Sequence, residues 1–329
     1  MRSGHLIISI VASLILSKPL LLHCQESEDP GFLSVGGFEK VAQTGYQFLK
    51  IGIGTRAPGM GEAATTMQGG ADNTFWNPAG IAHIDKRAIH LGYIIWFADI
   101  SHLSFAAAWN LGKYGSVGLS LLSMDYGTIE GTAINGLNNI GYDDTGNLDP
   151  QEYAIGITYA RRFTDRFSMG GTAKLCSQDL VAKSSQALAL DFGTLYNIGW
   201  NDFTLGMTIQ HFSREIRYIE EYFELPLIFR IGFSVDFISL FGMESSTHQA
   251  TFAFEGANPR DYSERIHAGV EYWYQDLIAL RAGYKFNYDN EDLSYGAAIK
   301  LAGISLGYAH SAFGSILGVV DRFSIHYEF

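Results

Sequence analysis

Residues 277–286 read LIALRAGYKF, and their alternation decides the fold class. Ile278, Leu280, Ala282, Tyr284 and Phe286 share one face of an extended chain; Ala279, Arg281, Gly283 and Lys285 share the other. That is period 2, the mark of a strand, not the 3.6 of a helix. The same division recurs at 292–301, where Leu293, Tyr295, Ala297, Ile299 and Leu301 oppose Asp292, Ser294, Gly296, Ala298 and Lys300. At 229–237, Phe229, Ile231, Phe233, Val235 and Phe237 oppose Arg230, Gly232, Ser234 and Asp236. One face suits lipid, and the other carries charges and small residues, as a barrel lumen would. A soluble sandwich also alternates, but its solvent face is coated with Lys and Glu, which are sparse here.

Working outward from these stretches, fourteen such segments follow residue 86, centred near 92, 105, 120, 156, 171, 190, 206, 231, 252, 268, 281, 297, 306 and 324. An even number suits a single-chain bacterial barrel. Short links at 112–114, 164–165, 199–201, 274–276 and 303 nearly alternate with longer ones at 126–150, 178–185, 212–224, 258–263 and 312–319. If the first strand rises from the periplasm, the short links fall on the periplasmic side and the long ones outside. The short link near Asp99 and the long one at 237–246 break this rule. The chain closes on RFSIHYEF, in which Phe323, Ile325, Tyr327 and Phe329 alternate to a terminal aromatic, as in an outer-membrane assembly signal.

Composition agrees. Of 329 residues, 47% are hydrophobic but only 17% charged, with 37 Gly, 18 Tyr and 22 Phe. A mean hydropathy of +0.06 is too polar for a helical membrane protein. Past residue 24 no window holds the 18 or more apolar residues of a spanning helix. The formal charge of -12 argues against nucleic acid, because phosphate contacts need Lys and Arg.

Residues 1–24 read as a signal peptide. Arg2 forms the basic start, Leu6 to Leu16 the apolar stretch, and Lys18-Pro19 interrupts it before it could span a membrane. Cys24 stands at its edge, but His23 is a poor fit to the small residue that precedes a lipidated cysteine. Cys176 is then left alone, so no disulfide framework exists. Export without a membrane helix leaves a closed barrel as the membrane architecture, since lipid forbids open sheet edges. The expected division is 1–24 signal peptide, 25–86 N-terminal extension, and 87–329 transmembrane barrel.

Residues 45–84, GYQFLKIGIGTRAPGMGEAATTMQGGADNTFWNPAGIAHI, differ from the rest. Glycine is dense, alternation is weak, and Trp76-Asn77-Pro78-Ala79-Gly80 marks a turn. Pro78 fixes φ and pushes Asn77 towards an extended conformation, while Gly80 is free to take a positive φ. The glycine spacing is not a phosphate loop, lacking the flanking strand, helix and Lys-Ser/Thr; tight packing of backbone against a wall explains it better.

FLKIGIGTRAPGMGEA at 48–63, followed by ADNTFWNPAGIA at 71–82, resembles the start of the PorV/PorQ family, within the wider group of the FadL fatty-acid channels. ELPLIFRIGFSV at 224–235, ALRAGYKF at 279–286, LSYGAAIK at 293–300 and DRFSIHYEF at 321–329 extend the resemblance over most of the mature chain. Gly307 and Asp321 depart from the family's usual Asp and His. The resemblance implies a fourteen-stranded barrel with an N-terminal hatch in the lumen, Asn77-Pro78-Ala79 being the hatch turn. It also implies a role beside the type IX secretion machinery or in passage of hydrophobic molecules.

The residues expected to matter follow from the strand phase. Asp191, Arg230, Asp236, Glu255, Glu271, Arg281, Lys285, Lys300, Arg322 and Glu328 project inward and are expected to pair with one another and with the hatch, since unpaired charges in a narrow lumen are costly. Arg56, Phe75 and Trp76 are the candidate ligand or hatch pocket. Ten histidines are scattered with no His-x-x-x-His pair among them, so no metal or other cofactor is expected; His267 and His326 read as lumen lining. Asp143, Asp144, Asn147 and Asp149 make an acidic outer loop without EF-hand spacing, able at most to bridge divalent ions to lipopolysaccharide. No Gly-x-Ser-x-Gly elbow is present, and no enzyme is expected. The expected partners are outer-membrane lipid and lipopolysaccharide, then either secretion-machinery proteins and exported cargo, met through loops such as FSREIRYIEEYFE at 212–224, or hydrophobic small molecules. A soluble periplasmic sandwich is the third reading.

Overall fold

The computed structural model describes residues 44–134, 141–181, 183–218, 221–240 and 247–329. Residues 1–24, read as a signal peptide, and Cys24 lie outside the described residues.

The wall begins with β1 (Arg87–Ile95), β2 (Ser101–Asn110) and β3 (Ser116–Asp125). A hairpin of β4 (Ile129–Ile134) and β5 (Tyr142–Leu148) pairs only with itself. The wall resumes with β6 (Gln151–Arg162), β7 (Phe167–Asp179), β8 (Ser184–Asn197) and β9 (Thr204–Ser213). A second small hairpin, β10 (Ile216–Tyr218) and β11 (Glu221–Phe223), precedes β12 (Ile228–Asp236) and β13 (His248–Pro259). The last five are β14 (Arg265–Tyr274), β15 (Ile278–Phe286), β16 (Leu293–Leu301), β17 (Ile304–Ala312) and β18 (Val319–Glu328). Leaving out the two hairpins, fourteen strands close into one antiparallel barrel in which β18 pairs back onto β1. Each of the fourteen expected centres falls inside one of them.

The seam pairs Ala88 with Glu328, His90 with His326 and Gly92 with Ser324. Phe329 completes it: its carbonyl accepts from Arg87 N at 2.9 Å and its amide donates to Arg87 O at 3.0 Å. Phe329 thus extends the β1–β18 ladder by one residue pair.

Turn chemistry explains the short links. Between β16 and β17, Ala302 and Gly303 both take positive φ, 50° and 81°, the two-residue hairpin turn whose twist matches that of the strands. The link between β8 and β9 is longer, residues 198–203, and Gly199, Asn201 and Asp202 take positive φ there, 83°, 46° and 51°. The 178–185 link is shorter than the sequence reading, because β7 and β8 run on to Asp179 and from Ser184. The first described part of the long 237–246 link is a helical turn, Phe237–Leu240.

Alternation decides which face meets what. Ile278, Leu280, Tyr284 and Phe286 are 39–56% exposed on the outside of the wall, whereas Ala279 and Arg281 are buried within it. These are not the packed core of a water-soluble sheet. Among the described residues no helix is long and apolar enough to cross a membrane, and the strands supply the apolar belt instead. Val235 is an exception: the phase points it outward, but it is buried.

Candidate functional site

The interior is occupied by residues 44–84, all of which except Gln47 are buried or half-buried. Short helical turns at Gln47–Lys50, Arg56–Gly59, Asn73–Trp76 and Pro78–His83 fold this segment against the inward faces of strands around the wall. Glycines on both sides let backbones meet. A Cβ on Gly269 would strike Met60, one on Gly206 would strike Thr65, and one on Gly193 would strike Asn77 and Pro78.

The Trp76–Gly80 turn is fully enclosed. Asn77 is extended, with φ -134° and ψ 106°, as a residue before proline should be. Its amide donates to Thr65 O at 2.6 Å and to Thr194 O at 3.2 Å, while its Oδ1 accepts from Ala79 N at 3.0 Å. Asn77 thus ties the turn to the segment and to β8. Gly80 does not take the positive φ the sequence left open to it. It is glycine because a Cβ there would strike the Asn73 side chain and Met67 O.

The inward charges pair, and most of the bonds reach the segment. Glu255 accepts from Arg230 Nη1 at 2.7 Å, from the amides of Ala64 at 3.0 Å and Thr65 at 2.8 Å, and from the Thr65 hydroxyl. Glu271 joins two guanidiniums, Arg56 Nη2 at 2.8 Å and Arg281 Nε at 2.7 Å. Lys285 bridges Glu62 at 2.8 Å and Glu291. Asp191 pairs with Lys174 at 2.6 Å and accepts from His211 N at 2.8 Å. Arg322 donates to Gly52 O at 3.2 Å and to Ser311 Oγ at 2.9 Å. Burial raises the proton affinity of Glu62, but Lys285, Arg230 and His267 outweigh it and hold that carboxyl at about 2.

Three of the ten expected lumen charges do something else. Asp236 caps the helical turn after β12, accepting from Ile238 N at 2.9 Å and Ser239 Oγ at 2.7 Å. Lys300 sits at the rim and pairs with the exposed Asp276 at 3.0 Å. Glu328 is exposed at the end of β18. Conversely Lys174, Glu62 and Glu291 belong to the network and were not singled out. The phase of β7 would have found Lys174, which lies on the same face as Gly170 and Thr172. Glu62 sits in an aperiodic stretch that carries no such signal.

Arg56, Phe75 and Trp76 do not form one pocket. Phe75 and Trp76, with Leu49, Ile53 and Arg230, line a cavity of about 30 Å³. That holds a water or two, not an acyl chain. Trp76 is held there by its Nε1 donating to Ile53 O at 3.1 Å, with the Arg230 guanidinium 5.4 Å from its ring centre. Above it, Tyr46, Phe48, Leu122 and Phe313 belong to an apolar cluster at the long-loop end. Arg56 instead lines a cavity of about 250 Å³ at the short-turn end, with Asp72, Lys300 and His326.

The molecule is thus of the class of closed, lipid-facing β-barrels whose interior is filled by their own N-terminal segment. Residues 37–241 match the sequence model of the family described as Type IX secretion system protein PorV, and the chain belongs to that family. No curated protein matches it. Among solved structures it is similar to the Ralstonia pickettii toluene transporter TbuX, at 12% identity and a TM-score of 0.57 over 84% of this chain and 98% of that one. The Pseudomonas putida toluene transporter TodX gives 12% and 0.57 over 82% and 95%. The CymD monoaromatic hydrocarbon channel gives 13% and 0.55 over 84% and 98%. At such identities the likeness is one of fold. Fold and family together put the chain in the outer membrane.

Proposed function

We propose that this chain is a plugged outer-membrane barrel that serves type IX secretion by binding exported protein or a machinery component through its outer loops. In this reading residues 1–24 direct export, residues 25–86 include the hatch, and the barrel from residue 87 is its holder. The observation that carries it is the filled lumen of a PorV-family chain: with the interior closed at Trp76, the surface left for a protein partner is the loop end. The β4–β5 hairpin stands there with Ile134 and Tyr142 exposed, and Tyr222 is exposed on β11. Aromatic and aliphatic side chains on a polar hairpin are what partner surfaces use. The test is affinity capture from detergent-solubilised outer membranes, comparing the intact chain with one whose residues 129–148 are replaced by a short turn. Capture of secretion components or cargo by the intact chain alone supports the reading; capture of the barrel by itself in both refutes it.

Passage of hydrophobic small molecules is the second reading, favoured by the shared fold with three hydrocarbon transporters and by Phe75 and Trp76 at the cavity under the apolar cluster. It requires the segment to move, because about 30 Å³ admits no hydrocarbon ring. Uptake of an aromatic or a long-chain fatty acid that is unchanged on deleting the gene removes it.

A further inference from the structure

Closure of the barrel builds a constellation that no local spacing announces. His90 on β1 and His326 on β18 are direct cross-strand partners on the inward face, their ring centres 4.6 Å apart. Asp72 of the N-terminal segment joins them, with its Oδ1 3.8 Å from His326 Nδ1. One ligand atom from each of the three residues lies within 4.8 Å of the other two. At 3.8 Å the carboxylate and imidazole are too far apart for a hydrogen bond. They are close to the spacing of two ligands on one ion, since metal bonds of about 2.0–2.2 Å set neighbouring donors some 3–4 Å apart.

A second observation points the same way. His90 is fully buried, and its Nδ1 has no hydrogen-bond partner. Its Nε2 lies 3.1 Å from Ser104 Oγ. One nitrogen is held by a neighbour and the other is left with nothing to bind, the arrangement outer partners impose on a ligating imidazole. Asp72 is likewise buried, while His326 and Asp72 line the 250 Å³ cavity at the short-turn end, which gives an ion a route from the periplasm and room for a water. The nearby Arg56 guanidinium does not oppose a cation there freely, because it is committed to Glu271.

We propose that Asp72, His90 and His326 bind one divalent transition-metal ion of the zinc type, which staples the N-terminal segment to the seam where the barrel closes. Two imidazoles and a carboxylate suit zinc, and the open fourth position faces the cavity, where water completes the shell. Ser104 is the positioning residue for His90. The site couples three parts of the chain far apart in sequence, so occupancy and closure reinforce each other.

The test uses the full chain, purified in detergent without a histidine tag and stripped with a chelator. Zinc is titrated calorimetrically, and cobalt is titrated in parallel for its ligand-field absorption. Expected are one ion per chain, a cobalt spectrum of low coordination number, and a higher unfolding temperature with zinc. His326→Gln and Asp72→Asn should each weaken binding by at least about tenfold, and Ser104→Ala by on the order of tenfold. His83→Gln, elsewhere in the segment, should leave it unchanged. His326 is half-buried, so its variant folds where His90→Gln need not. Absence of saturable binding to the intact chain overturns the proposal. So does binding that survives unchanged in both His326→Gln and Asp72→Asn.

Discussion

Gly283 of β15 and Gly61 of the N-terminal segment meet backbone against backbone, with no space for a side chain between them: a Cβ on Gly283 would overlap Gly61 N and the Met60 carbonyl carbon. Gly61 also takes φ +63° and donates its amide to Ser294 Oγ at 3.1 Å, so it cannot easily retreat. Gly283→Leu should therefore dislodge the segment or strain the wall, costing at least about 2 kcal/mol on the scale of overpacked cores. Gly256→Ala is the control, since nothing lies within 4 Å of a Cβ there. Heat-modifiability on gels and protease access to residues 44–84 read the difference; equal behaviour of the two variants would contradict the contact.

Glu255 satisfies Arg230 and two backbone amides of the segment at once. Glu255→Ala leaves a buried guanidinium and two buried N–H groups without their acceptor, and should cost about 3–5 kcal/mol. The double variant Glu255→Leu, Arg230→Met removes both charges and should lie closer to the native chain than the single one, because a paired apolar replacement avoids the orphaned charge. Denaturant unfolding from vesicles measures this. Additive losses would mean that the two side chains do not act as a pair.

Much of this was legible in the sequence, and the physical reason is periodicity. Ile278, Leu280, Tyr284 and Phe286 must face one way, and each strand repeats that constraint, so the strands and their inward residues Arg230, Glu255, Glu271, Arg281 and Lys285 could be counted off directly. What periodicity could not give was depth. Asp236, Lys300 and Glu328 share the inward phase but sit at strand ends, where they cap a turn, pair across the rim or meet solvent. Partners inside the segment were illegible for a different reason: Arg56, Glu62 and Asp72 lie in an aperiodic stretch whose placement depends on glycines in distant strands. The His90–His326 pairing depends on which strand closes on which, a property of the whole barrel.

Acid should loosen the segment in two stages. Burial, followed by the charge of Arg162, lowers His83 from 6.5 to about 4. Glu62 is held at about 2 against 4.5. Each binds protons more readily in the unfolded chain, so stability falls as the pH falls through either window. The His83 contribution is complete above about 6.5 and is lost on the way to 4; that of Glu62 is complete above about 4.5 and is lost on the way to 2. Unfolding midpoints measured across this range should fall in both windows. His83→Gln should make the first fall shallower and Glu62→Gln the second. A profile unchanged by either substitution would show that these groups are not the ones titrating.

The outer hairpin should be separable from the barrel. Its strands pair only with each other, and nearly every side chain from Tyr142 to Asn147 is exposed, so little apolar surface is buried when it forms. Replacing residues 129–148 with a short turn removes no wall strand and leaves β3 paired with β6 from Ser116↔Ala160 to Asp125↔Gln151. Stability should change by less than about 1 kcal/mol, the ordinary range for surface changes away from buried features. Partner capture, on the secretion reading, should be abolished in the same variant. A barrel that no longer folds would mean that the hairpin guides closure instead of standing free of it, and the loss of capture would then say nothing about docking. Measuring heat-modifiability beside capture separates the two: native mobility together with lost capture assigns the hairpin to the partner.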